Sequence, residues 1–325
     1  MRNKDKKKSD IVLRKRTTIG NISAEADHEF LLPCFFVGNA MEEIVDMESP
    51  KMILAGRTGA GKTAIIEKLK SEKEKISEID LSELAMNYVA NSDIIRFVES
   101  LDVDLELFFT ALWKHVFCIE YIRMRYSVKN ENESRGIFDN IRRRFELDSR
   151  KKKAIRFLQK WENKFWITMD ENIKEITTNL EDELSANLGI DIEKFRANAG
   201  YTRTLSSEKK AQLIARAKQV VNADLLTELA GVINLISELN DKDKDVREYF
   251  VVIDRLDEKW VDERIRFQLI RALIESLRSM RRVRNLKVVA ALREDVLEKV
   301  IQSNHQAGFQ REKFKDYFIS IKWDA

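Results

Sequence analysis

The sequence predicts an α/β fold with a mainly parallel sheet, and three observations predict it. Short apolar runs alternate with segments of helical periodicity, as expected of strands joined through crossover helices. Glycine and proline are scarce, at 10 and 2 residues in a chain of 325. That argues against a sandwich or barrel, which needs a turn roughly every 8–12 residues. Three of the ten glycines fall between positions 56 and 61, where a short strand runs into a helix.

Taken in order, residues 1–16 carry eight Lys or Arg against two Asp and read as a basic arm. The arm and the segment that follows form an N-terminal lead-in over 1–47, with a short helix expected at Glu42–Met47. Met52–Ala55 is a buried strand and Ala64–Lys70 the helix beyond the glycines. Ile76–Leu81 is a second strand, and Ser82 an N-cap for the next helix. From about 82 to 244 the pattern is almost wholly helical, with Leu225, Leu229, Val232, Ile233, Ile236 and Leu239 at spacings of three and four. Tyr249–Ile253 is continuously apolar, as in a parallel strand covered on both faces. A helix over Ile265–Met280, a strand over Leu286–Leu292 and a final alternating strand over Tyr317–Trp323 complete the chain. A core over 48–100 and 245–325, split by a helical insertion over 101–244, is the organisation expected.

Charge identifies no partner, because 58 basic and 55 acidic residues leave a net charge of +3. Cys34 and Cys118 both have apolar neighbours and no CxxC, which predicts buried free thiols in a reducing compartment. No apolar run approaches the roughly 18 residues of a membrane span. Met1–Lys8 lacks the apolar stretch of a signal peptide. A soluble cytoplasmic protein with no membrane contact is expected. His28, His115 and His305 have no ligand spacing, so no zinc site is predicted.

The strongest chemical signal is Gly56-Arg-Thr58-Gly59-Ala60-Gly61-Lys62-Thr63, a complete G-x-x-x-x-G-K-S/T between a strand and a helix that begins with Ala64. Glycines let such a loop fold into a nest of inward-pointing N–H groups, and the helix N-terminus adds more donors. Lys62 is expected to reach the β- and γ-phosphates, and Thr63 to ligate Mg²⁺. An acid at the end of a buried strand supplies the other half of the site. Asp254 is placed to hold Mg²⁺ opposite Thr63, with Asp257 and Glu258 beyond it to orient or deprotonate the attacking water. Arg293, at the end of the strand expected beside the one carrying Asp254, is the candidate sensor of the γ-phosphate. The fold expected is a P-loop NTPase core with a mainly parallel sheet, interrupted by a large all-helical insertion.

These elements, with Ile19–Asp27 upstream, resemble the STAND/AAA+-related P-loop ATPases of bacteria. More narrowly, they are similar to a bacterial family with a helical insertion before its second acidic motif. Its G-x-x-x-A-E-x-D segment, GKTA loop and IDRLDE-like and LRED-like strand ends correspond here to Gly20–Asp27, Gly61–Ala64, Ile253–Glu258 and Leu292–Asp295. The resemblance spans nearly the whole chain. It implies ATP and Mg²⁺ as cofactors, ATP hydrolysis, a homo-oligomer and association with antiviral defence. One departure is Arg255, which stands where other AAA+ members place an acid directly after the magnesium aspartate. That weakens Glu258 as a base and makes slow, switch-like hydrolysis the expectation. Such ATPases often continue into a helical lid, whereas this sequence stops at Ala325.

The insertion is where a protein effector would bind. Trp113, Trp161 and Trp166 read as helix-packing residues. Residues 142–156 hold eight basic and two acidic residues, a solvated face or a phosphate-contacting one. Arg278, Arg281, Arg282, Arg284 and Lys287 form a second basic cluster, from which a finger reaching a neighbouring subunit's nucleotide would come. Three functions stand side by side: an ATP-hydrolysing oligomerising or conformational switch, a nucleic-acid-dependent motor or repair ATPase, and a non-catalytic ATP-binding scaffold. The acids favour the first.

Overall fold

The computed structural model of the chain describes residues 21, 23–27, 30–79, 81, 106–127, 143, 185–186, 230–231, 233–238, 247–258, 263–302 and 314–322. Its strands are β1 (Ile53–Gly56), β2 (Ile76–Ile79), β3 (Tyr249–Ile253), β4 (Leu286–Arg293) and β5 (Phe318–Ile321). The helices are α1 (Leu31–Cys34), α2 (Asn39–Val45), α3 (Lys62–Glu72), α4 (Glu106–Tyr126), α5 (Glu263–Met280) and α6 (Glu294–Gln302). All strand pairs are parallel, in the order β2-β3-β4-β1-β5. This bears out the α/β class and its parallel sheet.

The strand order explains the layers. The β1-to-β2 connection runs toward one edge of the sheet, whereas the later connections run toward the other. Right-handed crossovers therefore send α3 to one face and α4, α5 and α6 to the opposite face. Side chains alternate along each strand accordingly. On the α3 face, Leu54, Phe250, Val252, Val289 and Ala291 pack with Met41 and Ile44 of α2 and Ile65, Ile66 and Leu69 of α3. On the other face, Tyr249 meets Tyr121 of α4 edge-on, with ring centroids 5.1 Å apart. β3 is buried along its whole length, as its unbroken apolar run predicts.

α4 falls inside the range expected to be insertion, yet it packs on this second face. Trp113 is fully buried and its indole N–H donates to the Leu269 carbonyl at 2.9 Å. Glu106 pairs with Arg271 of α5 at 3.0 Å. Ser77 of β2 donates to Glu120 at 2.8 Å. Residues 230–231 and 233–238 are helical, with Ile233 and Ile236 buried as their spacing predicts.

Strand ends follow from register. β2 stops at Ile79 and not Leu81 because its partner β3 ends there, with Ile79 opposite Ile253. β5 covers four residues because β1 offers four, ending at Gly56 opposite Ile321. Cys118 is buried, as expected, and burial pushes its thiol up to about 12. Cys34 is exposed, against expectation. It closes a single helical turn with no buried residue, and of the flanking aromatics Phe35 packs against the core while Phe36 is 75% exposed. The expected basic arm, Ser82, Trp161, Trp166, His28, His305 and all of the 142–156 cluster except Arg143 lie outside the described residues. None of the described helices is long and apolar enough to cross a membrane.

Candidate nucleotide site

Parallel strands deliver their carboxyl ends to one edge of the sheet, and ligands of open α/β sheets bind beyond that edge. Here β4 lies between β1 and β3, so the ends of all three, Gly56, Ile253 and Arg293, come together.

The loop after β1 requires its glycines at three points. Gly59 and Gly61 take φ of +78° and +94°, the left-handed region that side chains disfavour. Gly56 is in a tight place instead: a Cβ there would lie 3.0 Å from the Ile321 carbonyl oxygen and 3.1 Å from the Ala60 Cβ. Gly61 is the N-cap of α3, so the helix opens directly on the loop and its first turn carries Lys62, Thr63 and Ala64. Ala60 is buried and its N–H donates to the Arg57 carbonyl at 3.1 Å, closing the turn through Thr58 and Gly59.

Lys62 curls back over this loop. Its ammonium donates to the carbonyls of Gly56 at 3.1 Å and Arg57 at 2.9 Å. Burial lowers its pKa, Asp257 and Asp254 oppose that shift, and the nearby Arg293 adds to it. The lysine thus lies within the field of charges from the ends of β3 and β4.

Asp254 follows β3 directly and is half-buried. Its Oδ1 accepts the N–H of Arg255 at 2.8 Å. Arg255 itself takes φ of +59°, rare for a residue with a side chain, and this turns the chain sharply after the aspartate. The Glu258 N–H donates to the Arg255 carbonyl at 3.1 Å, forming a short turn. Glu258 is exposed and lies 3.9 Å from the Arg255 guanidinium. Asp257 points to Arg293, with Oδ2 3.6 Å from Nη1.

Arg293 ends β4 and is gripped by Asp295 through two bonds, Nε to Oδ1 at 2.9 Å and Nη2 to Oδ2 at 2.6 Å. That pairing raises the arginine's pKa and lowers the aspartate's. A cleft of about 920 Å³ opens beside the loop, lined by Arg57 to Ala60, Arg293, Asp295, Ile321 and Lys322 among others. Among the described residues, no group of three or more His, Cys, Asp or Glu could hold a metal ion unaided. Thr63 lies in the first turn of α3 and Asp254 directly after β3; these are the residues that would hold Mg²⁺ if phosphates carried it in, since that ion binds through one or two carboxylates together with substrate oxygens.

Two side chains take roles their residue types did not announce. Lys287, grouped in the sequence with a basic surface cluster, is 1% exposed and belongs to no surface. Its ammonium donates to the carbonyls of Glu43 at 3.1 Å, Ser49 at 3.0 Å and Asp46. It sits near the start of β4, at the sheet edge remote from Arg293. Arg281, Arg282 and Arg284 of the same cluster are exposed on the turn before β4. Arg266 of α5 was not singled out by any motif, yet it is buried and donates to the loop carrying Asp257 and Glu258. Its position on the apolar side of a helix was the available signal.

The described residues define an α/β protein with an all-parallel five-stranded sheet. Its carboxyl edge gathers a glycine loop, a lysine, three aspartates and an arginine. No family model, curated protein or solved structure matches the chain.

Proposed function

We propose that the protein is a Mg²⁺-dependent P-loop ATPase that works as a switch, changing conformation or assembly with the nucleotide it holds. The observation that carries this reading is the convergence on Lys62 of a glycine loop with two left-handed glycines and of charges from the ends of β3 and β4. Backbone N–H groups of the loop and of the first turn of α3 would bind the phosphates. Lys62 would leave the carbonyls of Gly56 and Arg57 for the β- and γ-oxygens, and Thr63 and Asp254 would hold Mg²⁺. The ion supplies charge neutralisation at the transferred phosphoryl group. Asp257 and Glu258 stand on the loop where attacking water would be oriented, and Arg293 would read the γ-phosphate.

Hydrolysis is slow in this reading, because Arg255 follows Asp254 and Glu258 is solvent-exposed. A homo-oligomer and a bacterial defence setting belong to the same proposal on the strength of the family resemblance, an effector bound through the helical insertion on the length of that segment, and a cytoplasmic location on the use of cysteine as free thiols. The nucleic-acid reading draws on one further observation, the exposed turn bearing Arg281, Arg282 and Arg284. Purified protein tested for ATP binding, Mg²⁺-dependent turnover and native mass with and without ATP decides between the readings. K62A is expected to lose ATP binding, and retained affinity would show that the assigned site is wrong. Turnover stimulated by DNA or RNA at low salt would favour the nucleic-acid reading. Tight ATP binding with no turnover would favour the scaffold.

A further inference from the structure

We infer that Arg266 is a positioning residue for the loop after β3, acting on Asp257 and Glu258 through their backbone; the inference rests on the ATPase reading above. The loop is anchored at its start by the buried Leu256 and by the Arg255 N–H on the Asp254 carboxylate. After the left-handed Arg255, the N–H of Glu258 donates to the Arg255 carbonyl. Two successive carbonyls then accept from one nitrogen of Arg266, Asp257 at 3.2 Å and Glu258 at 3.0 Å from Nη1. A planar guanidinium suits this task, because its donors are fixed in one plane and it keeps its charge at any working pH.

The setting favours placement over stability. Arg266 is 8% exposed and its Nε is buried with no hydrogen-bond partner. Among the described residues, its carboxylate contact is Glu263 at 3.9 Å, an exposed side chain. A buried cation with an unpaired donor costs free energy that an apolar side chain of similar volume would avoid. What the arginine supplies is geometry, and the geometry reaches the site in one step. The Asp257 carbonyl is held from α5 while the Asp257 carboxylate faces Arg293 and acts on the charge of Lys62. Displacement of that backbone by an ångström is enough to lower a rate on the order of 100-fold.

The test uses full-length R266K and R266A, with hydrogen exchange of the peptide spanning 249–258 measured beside nucleotide affinity, turnover and thermal unfolding. The lysine variant keeps the charge, but its ammonium ends one bond short of the place Nη1 occupies and so cannot hold both carbonyls at hydrogen-bond distance without shifting the loop; it remains informative if the alanine variant does not fold. Faster exchange at 255–258 is expected in R266K, together with turnover lowered on the order of 10- to 100-fold and ATP affinity within about threefold of wild type. Added guanidinium is expected to restore part of the rate in R266A. Unchanged exchange in folded R266K overturns the inference. So does faster exchange with unchanged turnover, or a loss of affinity in parallel with rate and melting temperature. A wild-type protein that neither binds nor hydrolyses ATP overturns the ATPase reading instead, and the exchange result still decides what Arg266 does to the loop.

Discussion

Arg293 faces Asp257 across the carboxyl ends of β4 and β3, Nη1 to Oδ2 at 3.6 Å, while Asp295 grips the same guanidinium from its other side. The arginine therefore stands between two carboxylates, one on its own strand end and one on the neighbouring strand's loop. Both pairs are substantially solvated, with side chains 26–54% exposed, and exposed pairs of this kind are worth about 1 kcal/mol or less. A phosphate oxygen is a stronger partner for a planar guanidinium and can displace such a contact.

R293A is accordingly expected to bind ADP within a few-fold of wild type and to hydrolyse ATP about 10- to 100-fold more slowly. Single-turnover kinetics beside ADP titration separates the two effects. Equal losses in ADP affinity and in rate would show that Arg293 is part of the general phosphate cradle.

D257N keeps the size of the side chain and removes its charge from both Arg293 and Lys62. Turnover is expected to fall on the order of 10- to 100-fold with ATP affinity unchanged or slightly improved, since a carboxylate facing the phosphates is gone. Weakened ATP binding with normal turnover would move Asp257 out of the water-handling role.

Much of the sheet was legible because β1, β3 and β4 announced themselves by apolar runs next to helix signals and β5 by alternation. Tyr249–Ile253 matched its predicted bounds, and the G-x-x-x-x-G-K-T run from Gly56 to Thr63 lies at the strand–helix junction expected for it. The order of strands was legible only in part. The strand carrying Arg293 was expected beside the one carrying Asp254, as it is, but nothing in residues 286–293 says that β1 lies on its other side. Lys287 and Arg266 escaped for a related reason. A basic residue in a charged stretch reads as solvated, and only tertiary packing reveals carbonyls arranged around it. Cys34 misled in the opposite direction, because its apolar neighbours Leu32, Phe36 and Val37 are themselves exposed.

The left-handed glycines give a prediction that ties stability to nucleotide binding. Gly61 caps α3 at φ +94°, where an alanine side chain is strained by about 1–2 kcal/mol. G61A is expected to lower stability by about that amount and to abolish detectable ATP binding, because relieving the strain moves the N–H groups that line the loop. Chemical denaturation and a nucleotide titration on the same sample check it. Unchanged stability and affinity would mean that the loop tolerates a side chain there.

Lys287 gives a pH-dependent one. Its burial pushes its pKa down to about 8, while an unfolded lysine titrates at 10.5. Between these values the unfolded chain binds the proton that the folded chain has released, so this group's contribution to stability increases as pH rises through the window. Below pH 8 both states are protonated and folding bears the full cost of burying the charge. K287M removes the titration and leaves three carbonyls without their shared donor, so it is expected to be destabilised by about 3 kcal/mol at pH 7. The wild type should then gain on K287M by up to about 3 kcal/mol between pH 8 and 10.5. Denaturation of both proteins at pH 7.5 and pH 10 measures the difference. A stability gap that narrows or holds constant as pH rises would show that the ammonium keeps its proton inside the ring of carbonyls, and that its hydrogen bonds outweigh its desolvation.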